Sequence, residues 1–402
     1  MLKFVGVEVL RPGGADYEAA RQPQIQRFAQ IKPAAIVKCR TAEDVTEALA
    51  LANDEGQSIA VRSGGHCFAG RSSTEGLLID MSAADGIVIG DDTVTVGSGA
   101  KVSAIYDALE PERTIAGGCG VTVGIAGLAL GGGLGVLGRQ HGLTCDQVTS
   151  AEVVLASGEV VDADEELLWA LKGAGGGQFG IVTRLTLKTV PAPPTKCFHL
   201  THPLDEAAAL IDWWQRVSPN APEETAASLI VRPDGVHLFG VGDIDAETTA
   251  PMPYREAKRW LNENGPPEQE PTQDERSKSE FFRDLLSADT IATLVQHFEH
   301  GTGARELDFS PWGGAYNRTA PDATAFPHRT ARFLLKHTGS AGWAERAYSI
   351  THPHGTGGSY VNFPDPYLED ALTAYHGPNL ARLREIKARY DPENRFRFPQ
   401  SL

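Results

Sequence analysis

RSGGHCFAGRSS, residues 62–73, is the stretch of this sequence that decides its fold. Its glycines allow consecutive backbone N–H groups to point into one small volume, an arrangement that binds a pyrophosphate. Arg62 would add a local positive charge to such a site. A phosphate-binding loop does not need an imidazole, so His66 either bonds its own loop or has a chemical role of its own.

The residues that precede this loop predict a β–α–β unit. KPAAIVKC (32–39) and SIAVRS (58–63) have the composition of strands. Between them Thr41 is a helix N-cap, and the apolar residues that follow it have helical spacing: Val45, Ala48, Leu49 and Ala52. Residues 15–31 predict another helix. A strand, helix, strand and glycine loop in this order is a common way to aim backbone amides at a phosphate.

Two further glycine patterns, at 133–138 and 175–180, match GxGxxG. The nicotinamide-binding fingerprint needs a strand before these glycines and a long helix after them. More glycine precedes the first match, and the second match leads into a predicted strand. Neither pattern therefore indicates a Rossmann fold.

The composition argues against several kinds of partner. With 36 basic and 52 acidic side chains the formal charge is −16, which repels nucleic acid and anionic membranes. Five cysteines without a CxxC pair suggest neither a disulfide scaffold nor a thiolate zinc site, so no metal is expected. The N-terminus has no signal-peptide pattern, and no run approaches eighteen apolar residues. We therefore expect a cytoplasmic protein, and the oligomeric state stays open.

RSGGHCFAG resembles the R-x-GGH-S-x-x-G loop of the vanillyl-alcohol oxidase and berberine-bridge-enzyme-like flavoproteins. Other stretches resemble the same family in the same order: GGCGVTVGIAGLALGGGLGVLGRQHGLTCDQV (117–148), LLWALKGAGGGQFGIVT (167–183), GGAYNRTAPDATAFPHR (313–329), and YVNFPD (360–365) with the tail 375–402. The likeness is close over residues 1–191 and the last forty or so, and between them it is confined to 313–329.

The resemblance implies an α+β fold in three segments. Residues 1–193 would form a PCMH-type FAD-binding domain, and residues 373–402 a berberine-type segment that returns to it. Residues 194–372 would form a substrate domain, an antiparallel sheet flanked by helices that covers the flavin. The substrate would then lie at the domain interface, where such pockets usually occur.

The resemblance also assigns the cofactor and its ligands. His66 matches the histidine that bonds the 8α-methyl carbon of FAD, a reaction that suits a neutral, nucleophilic imidazole nitrogen. Cys119 lies one residue earlier than the cysteine that makes a second flavin bond in many members, so a second link and a buried thiol both stay open. The full predicted cofactor set is Arg62, Ser63, Gly64, Gly65, His66, Cys67, Gly70, Gly118, Cys119, Thr122, Val123, Gly124, Gly127, Gly180, Val182, Tyr360 and Asn362.

For the substrate side, the resemblance places Tyr360 opposite the flavin, with Asn362 and Tyr316 as further catalytic candidates. A tyrosine with the ordinary pKa near 10 would need a lowered pKa to act as a base at neutral pH, or would donate a hydrogen bond. Val123 takes the position that screens the flavin from dioxygen, and its small side chain favours an oxidase.

We therefore expect an FAD-dependent oxidoreductase that oxidises an alcohol, phenolic or related small molecule and passes the electrons to O2, giving H2O2. The alternative is a flavin-dependent dehydrogenase, or a cyclase or isomerase of a biosynthetic pathway, that does not use O2. A flavin-binding protein without catalysis is the third interpretation. The identity of the substrate stays open.

Overall fold

A small mixed sheet and one helix position the 62–73 loop. The computed structural model of the protein describes residues 7–109, 111–118, 120–266 and 275–402. The sheet has the order β1-β2-β4-β3, in which β1 is antiparallel to β2 and the other pairs are parallel. Its elements are β1 (Glu8–Leu10), α1 (Ala15–Ala20), β2 (Ala35–Lys38), α2 (Ala42–Asp54), β3 (Ile59–Arg62) and β4 (Leu77–Asp80).

The predicted β–α–β unit is confirmed as β2, α2 and β3. Thr41 caps α2 through a reciprocal pair of hydrogen bonds with Asp44, and the predicted apolar stripe of this helix is buried. The loop follows β3 directly. The helix predicted over 15–31 is wrong beyond Ala20, because Pro23 has no N–H to donate and disfavours helical geometry at the residue before it. Only a short 3₁₀ turn, Gln26–Phe28, occurs in the rest of that range.

A second, antiparallel sheet and the glycine-rich helices form the other half of the N-terminal part. The strand order is β5-β6-β10-β8-β9. The elements are β5 (Ile87–Ile89), β6 (Thr93–Gly97), α3 (Val102–Leu109), β7 (Arg113–Thr114), α4 (Ile125–Leu130), α5 (Gly138–His141), β8 (Val148–Val154), β9 (Val160–Asp162), α6 (Glu165–Ala174), β10 (Ile181–Lys188) and β11 (Val190–Pro191), which pairs with β7. The glycines at 175–180 lead into β10, so the structure agrees with the rejection of a Rossmann fingerprint.

A six-stranded antiparallel sheet, the roof sheet, dominates the middle of the chain. Its order is β12-β14-β13-β16-β17-β15. The elements are β12 (Cys197–His202), α7 (Ala207–Val217), β13 (Ala226–Arg232), β14 (Gly235–Val241), α8 (Tyr254–Asn264), β15 (Glu275–Phe282), α9 (Ala288–Glu299), β16 (Arg305–Pro311), α10 (Ala315–Arg318), β17 (Phe333–Ser340) and α11 (Ala341–Thr351).

Side chains alternate between the two faces of the roof sheet, as strand geometry requires. Leu307 and Phe309 of β16 are fully buried in a core shared with α7, α9 and α11. Glu306, Asp308 and Ser310 of the same strand line a cavity instead. One face is therefore packed against helices, and the other is free for a site.

The C-terminal residues return to the N-terminal part of the molecule. Two helices, α12 (Ala371–His376) and α13 (Leu380–Tyr390), lead into the tail. Leu383 and Ile386 belong to the same hydrophobic core as Trp169 of α6, and Arg382 stacks 3.9 Å from the centre of the Trp169 ring. The predicted α+β class, with an antiparallel sheet flanked by helices, is confirmed; the boundaries at 193 and 372 stay predictions.

Lys387 ties the C-terminal tail to the glycine loop at 175–180. Its Nζ donates to the carbonyl of Gln178 (2.6 Å), to the carbonyl of Phe396 (2.7 Å) and to the Asp391 carboxylate (2.6 Å), all away from solvent. Phe396 and Gln178 also line the cavity. In the parts of the chain that the structure describes, no helix has the length and apolarity needed to cross a bilayer.

We predict that Lys387→Met lowers the free energy of unfolding by about 3 kcal/mol, because it leaves the Asp391 carboxylate buried without its cation. Thermal unfolding followed by circular dichroism measures the effect. Arg389→Met on the same helix is the matched control. Arg389 pairs with Glu166 and Asp164 at the exposed surface, where solvent screens the ion pairs, so their loss changes the free energy of unfolding little. Equal melting temperatures for the two variants would contradict this assignment.

Candidate active site

A cavity of about 570 Å³ lies between the N-terminal part and the roof sheet. Its walls come from the 62–73 loop, the glycine-rich residues around α4, the 173–182 segment, the free face of the roof sheet, and residues 360–364 with the tail. A Cβ built at Gly127 or Gly176 would meet no atom within 4 Å, so both glycines border open space. A cavity bordered by glycine backbone suits a dinucleotide whose phosphates bind amides.

The 62–73 loop is fixed by close backbone contacts. A Cβ at Gly64 would lie 2.3 Å from the nitrogen of Gly124. Only glycine at position 64 therefore allows these two backbone segments to approach so closely. Gly65 has φ +79°, a left-handed conformation that glycine adopts readily. Ser63 Oγ donates to the carbonyl of Ser98 at 2.6 Å. These contacts place the loop against the N-terminal end of α4.

His66 lies in the cavity wall, half buried, beside Thr122. Its Nε2 is 2.9 Å from Thr122 Oγ1. Because Thr122 precedes Val123 and Gly124, the contact orients the imidazole relative to the glycine-rich segment. The sequence predicted both residues for the site, and the structure brings them together.

Not every predicted cofactor residue lines the cavity: Thr122 contacts His66 but is not part of the wall. Gly70 does not line the cavity; it makes room for the ring of Phe28, which a Cβ would approach to 2.7 Å. Cys119 lies outside the described residues. The predicted residues that do line the cavity are Ser63, Gly64, Gly65, His66, Cys67, Gly118, Val123, Gly124, Gly127, Gly180, Val182, Tyr360 and Asn362.

The structure does not place the Arg62 side chain where it was predicted, as a positive charge in the phosphate site. The buried guanidinium donates to the carbonyls of Ser72 (2.9 Å) and Ala20 (2.8 Å) and to Ser73 Oγ (3.1 Å), and Arg62 does not line the cavity. Arg62 therefore braces the loop from behind through these hydrogen bonds. Arg71, which the sequence prediction omitted, does line the cavity.

Tyr360 and Asn362 are held together under the roof sheet. The Tyr360 hydroxyl accepts the N–H of Gly133 (2.9 Å) and one from Asn362 Nδ2 (3.2 Å), which also donates to the carbonyl of Leu128 (3.0 Å). Burial raises the pKa of Tyr360 above its ordinary value. The phenol therefore keeps its proton at neutral pH, which disfavours it as a base and leaves it as a hydrogen-bonding group.

Tyr316 does not line this cavity but a smaller pocket that adjoins it, so its catalytic role stays a prediction. Its ring stacks on Trp312 with centroids 4.4 Å apart, and its hydroxyl donates to the carbonyl of Gly135 at 3.1 Å. Burial raises the pKa of Tyr316 as well. The GGA-x-NR stretch at 313–318 thus packs against α5 rather than against the main cavity.

The roof sheet contributes a charged group that sequence reasoning missed. Arg232 Nε donates to the Glu306 carboxylate at 2.8 Å, and Lys336 Nζ lies 3.4 Å from both Glu306 and Asp308. All four line the cavity. Burial raises the pKa of Asp308, and the neighbouring Lys336 cation opposes this shift. The sequence signal was the alternation of Glu306, Asp308 and Ser310 with large apolar residues along one strand.

Comparison with known proteins agrees with this geometry. The family model described as FAD binding domain matches residues 33–164, and the one described as berberine and berberine like matches 359–402. The FAD-linked oxidoreductase YvdP of Bacillus subtilis (strain 168) is 31% identical over 93% of either chain. Physcomitrella patens BBE-like 1 superposes with a TM-score of 0.88 at 27% identity, covering 98% of this chain and 96% of that one. The xylooligosaccharide oxidase from Myceliophthora thermophila C1, solved in complex with xylobiose, gives 0.87 at 26% identity and the same coverage.

The matched segments are the two that build the cofactor side of the cavity, the 62–73 loop and the returning tail. A glycine-bordered cavity with these two walls fits FAD. The similarity to YvdP extends over nearly the whole of both chains. The protein is therefore an FAD-dependent enzyme that belongs to the berberine-bridge-enzyme-like family of FAD-linked oxidoreductases.

Proposed function

We propose that this protein is an oxidase of small molecules: an alcohol, phenolic or related carbon loses a hydride and a proton, and O2 takes up both electrons and becomes H2O2. Bound FAD supplies the two-electron chemistry. The observation that carries the proposal is the Asp308 carboxylate, which shares one cavity with His66. The xylooligosaccharide oxidase among the relatives supports an alcohol carbon as the oxidised centre.

We infer that His66 bonds the cofactor covalently. A neutral imidazole nitrogen is a competent nucleophile near pH 7, and Thr122 restrains the ring in the cavity wall. Attachment would form one C–N bond in place of a C–H bond of the 8α-methyl group and the imidazole N–H, and the two electrons and two protons released would pass to O2, giving H2O2. A covalent bond allows the substrate end of the cavity to stay accessible without loss of the cofactor.

We expect His66→Ala to release its flavin when the protein is denatured in acid, whereas the parent keeps the yellow colour in the precipitate. Mass spectrometry of the peptide that contains residue 66 measures the bond directly. Cys67→Ser is the control, because Cys67 also lines the cavity but is not assigned a bond. Flavin that washes out of the denatured parent would disprove the linkage.

We assign Asp308 as the group that accepts the substrate proton. A carboxylate in a low-dielectric cavity is a stronger base than one in water, and the raised pKa of Asp308 has that cause. Lys336 on one side and Ser310 Oγ, which donates at 3.3 Å, on the other fix the carboxylate in place. Glu306 is occupied by Arg232, so Asp308 is the better placed of the two acids.

Asp308→Asn is predicted to slow substrate-dependent flavin reduction by about a hundredfold, which is typical for loss of a general base. In the parent this rate rises with pH through a pKa above that of an ordinary aspartate, because only the carboxylate accepts a proton. Stopped-flow absorbance across pH measures both effects. Tyr360→Phe should keep the pH dependence. If the phenylalanine variant lost it and the asparagine variant retained it, the phenol would be the base.

Val123 supports the use of O2. The side chain borders the cavity just before Gly124 and is small, so the cofactor side of the cavity is accessible to a diatomic molecule. We predict one H2O2 per substrate oxidised, and we expect Val123→Leu to slow reoxidation by O2 while leaving anaerobic reduction unchanged. Oxygen-jump kinetics separate the two half-reactions. A parent enzyme that reduces an artificial dye but yields no peroxide would instead be a dehydrogenase.

A further inference from the structure

A second, smaller cavity adjoins the first beneath the roof sheet. This side pocket has a volume of about 170 Å³ and lies between the segment 134–139, β13, β14 and the end of β16. Leu134, Ser228, Phe239 and Ser310 line both cavities, so the side pocket continues from the substrate side of the site. An apolar cavity of about 150 Å³ engineered into another protein binds benzene, so the side pocket has room for one aromatic ring.

The cavity face of β13 changes from charged to apolar along the strand. At one end lies Arg232, which is ion-paired, and two residues before it Ile230 is the register partner of Asp308. Ser228 comes next on the same face, followed by Ala226, which lines only the side pocket. A substrate that lies along this face therefore contacts charged groups at one end and hydrocarbon at the other.

The surface of the side pocket is largely apolar. Four of its wall residues are only half-buried, which leaves part of each side chain free to contact a ligand: Leu134, Val136, Ala226 and Phe239. Val136, Ala226 and Phe239 also pack against the hydrophobic core beneath α8, so these walls are held in place. Such walls favour an apolar group over water, because its burial removes apolar surface from solvent.

Arg139 also lines the side pocket, but its terminal N–H groups are already in use. The residue is only 2% exposed, and these nitrogens donate to four backbone carbonyls, including those of Pro219 (3.0 Å) and Ala221 (2.7 Å). A charged group on the substrate would lose its hydration in the side pocket without gaining a hydrogen bond from Arg139. The side pocket therefore disfavours charge.

We propose that the side pocket binds an apolar group, the size of one aromatic ring, at the end of the substrate opposite its reacting hydroxyl. Two residues along a strand span about 7 Å, and four span about 13 Å. Ser310 is two residues from Asp308, and Ala226 is four residues from Ile230, the register partner of Asp308. This spacing suits two directly linked rings with the reacting carbon on the first. The inference rests on the proposed function, because it takes Asp308 as the position of the reacting hydroxyl.

The test compares benzamide with para-phenylbenzamide, which differs from it by one distal ring. In both compounds an amide replaces the hydroxymethyl group of the corresponding alcohol, so no hydride can be lost and binding is measured without turnover. Isothermal titration on the flavin-loaded protein should show para-phenylbenzamide binding at least about tenfold tighter, the gain typical of burying a ring. A crystal structure should place the distal ring among Val136, Ala226 and Phe239. Equal affinities, or a distal ring bound elsewhere, would overturn the proposal.

A third compound tests the apolar character of the side pocket. In para-carboxybenzamide a carboxylate takes the place of the distal ring. We expect it to bind no more tightly than benzamide, because the terminal N–H groups of Arg139 are bonded to carbonyls. Tighter binding of this anion than of benzamide would contradict an apolar pocket.

Ala226→Leu is expected to abolish the tighter binding of para-phenylbenzamide, because the added carbon atoms fill part of the side pocket. Benzamide, which does not reach the side pocket, should bind the parent and the variant alike and so reports that the variant is folded. Ala246→Leu is the matched control, since it adds the same atoms at an exposed position in the loop after β14. The assignment is refuted if Ala226→Leu keeps the tenfold preference, or if both variants lose it.

These measurements need no turnover. Failure of the proposed oxidase function would appear as absent peroxide or dissociable flavin, with the preference for the distal ring unaffected. Failure of the side-pocket inference would appear as equal binding of benzamide and para-phenylbenzamide in an enzyme that still produces peroxide. The two failures are therefore distinguishable.

Discussion

The backbone contact between Gly64 and Gly124 is the constraint on which the site depends. With a Cβ at Gly64 only 2.3 Å from the Gly124 nitrogen, any side chain there would separate the 62–73 loop from α4. Separation would also pull His66 from Thr122, since the two are joined across the same seam. The cofactor cavity is thus created where two glycine segments, sixty residues apart in the chain, lie backbone to backbone.

On the opposite side of the cavity from this contact, the roof sheet presents charged side chains. Placing Arg232, Glu306, Asp308 and Lys336 together in a cavity costs desolvation free energy that a packed apolar surface would not. Ion pairs within this group offset part of the desolvation cost. The opposite face of the roof sheet also stabilises the fold, because Leu307 and Phe309 there belong to a continuous apolar core. The two faces of β16 therefore have opposite characters, one charged and lining the cavity, the other apolar and buried.

The tail completes the cavity through buried polar bonds in addition to the apolar packing of α13. Lys387 joins three segments through Gln178, Asp391 and Phe396, and Leu402 N–H donates to Gln178 Oε1 at 2.7 Å. These contacts fix the 175–180 glycine loop from outside. Arg62 acts in the same way on the 62–73 loop, bonding its backbone from behind. In both loops a buried cation thus satisfies a backbone carbonyl.

The amino-acid sequence by itself determined the β–α–β unit, the glycine loop, the family and the glycine-rich segments that line the cavity, because these depend on local backbone geometry and on motifs contiguous in the chain. Only the tertiary structure decided which side chains meet across elements. Arg62 lies next to cavity residues in sequence, yet its guanidinium bonds groups behind the loop. Asp308 and Lys336 come together from two strands without a recognisable motif. Strand alternation and long-range packing set those positions, and neither is written in any one short stretch of the chain.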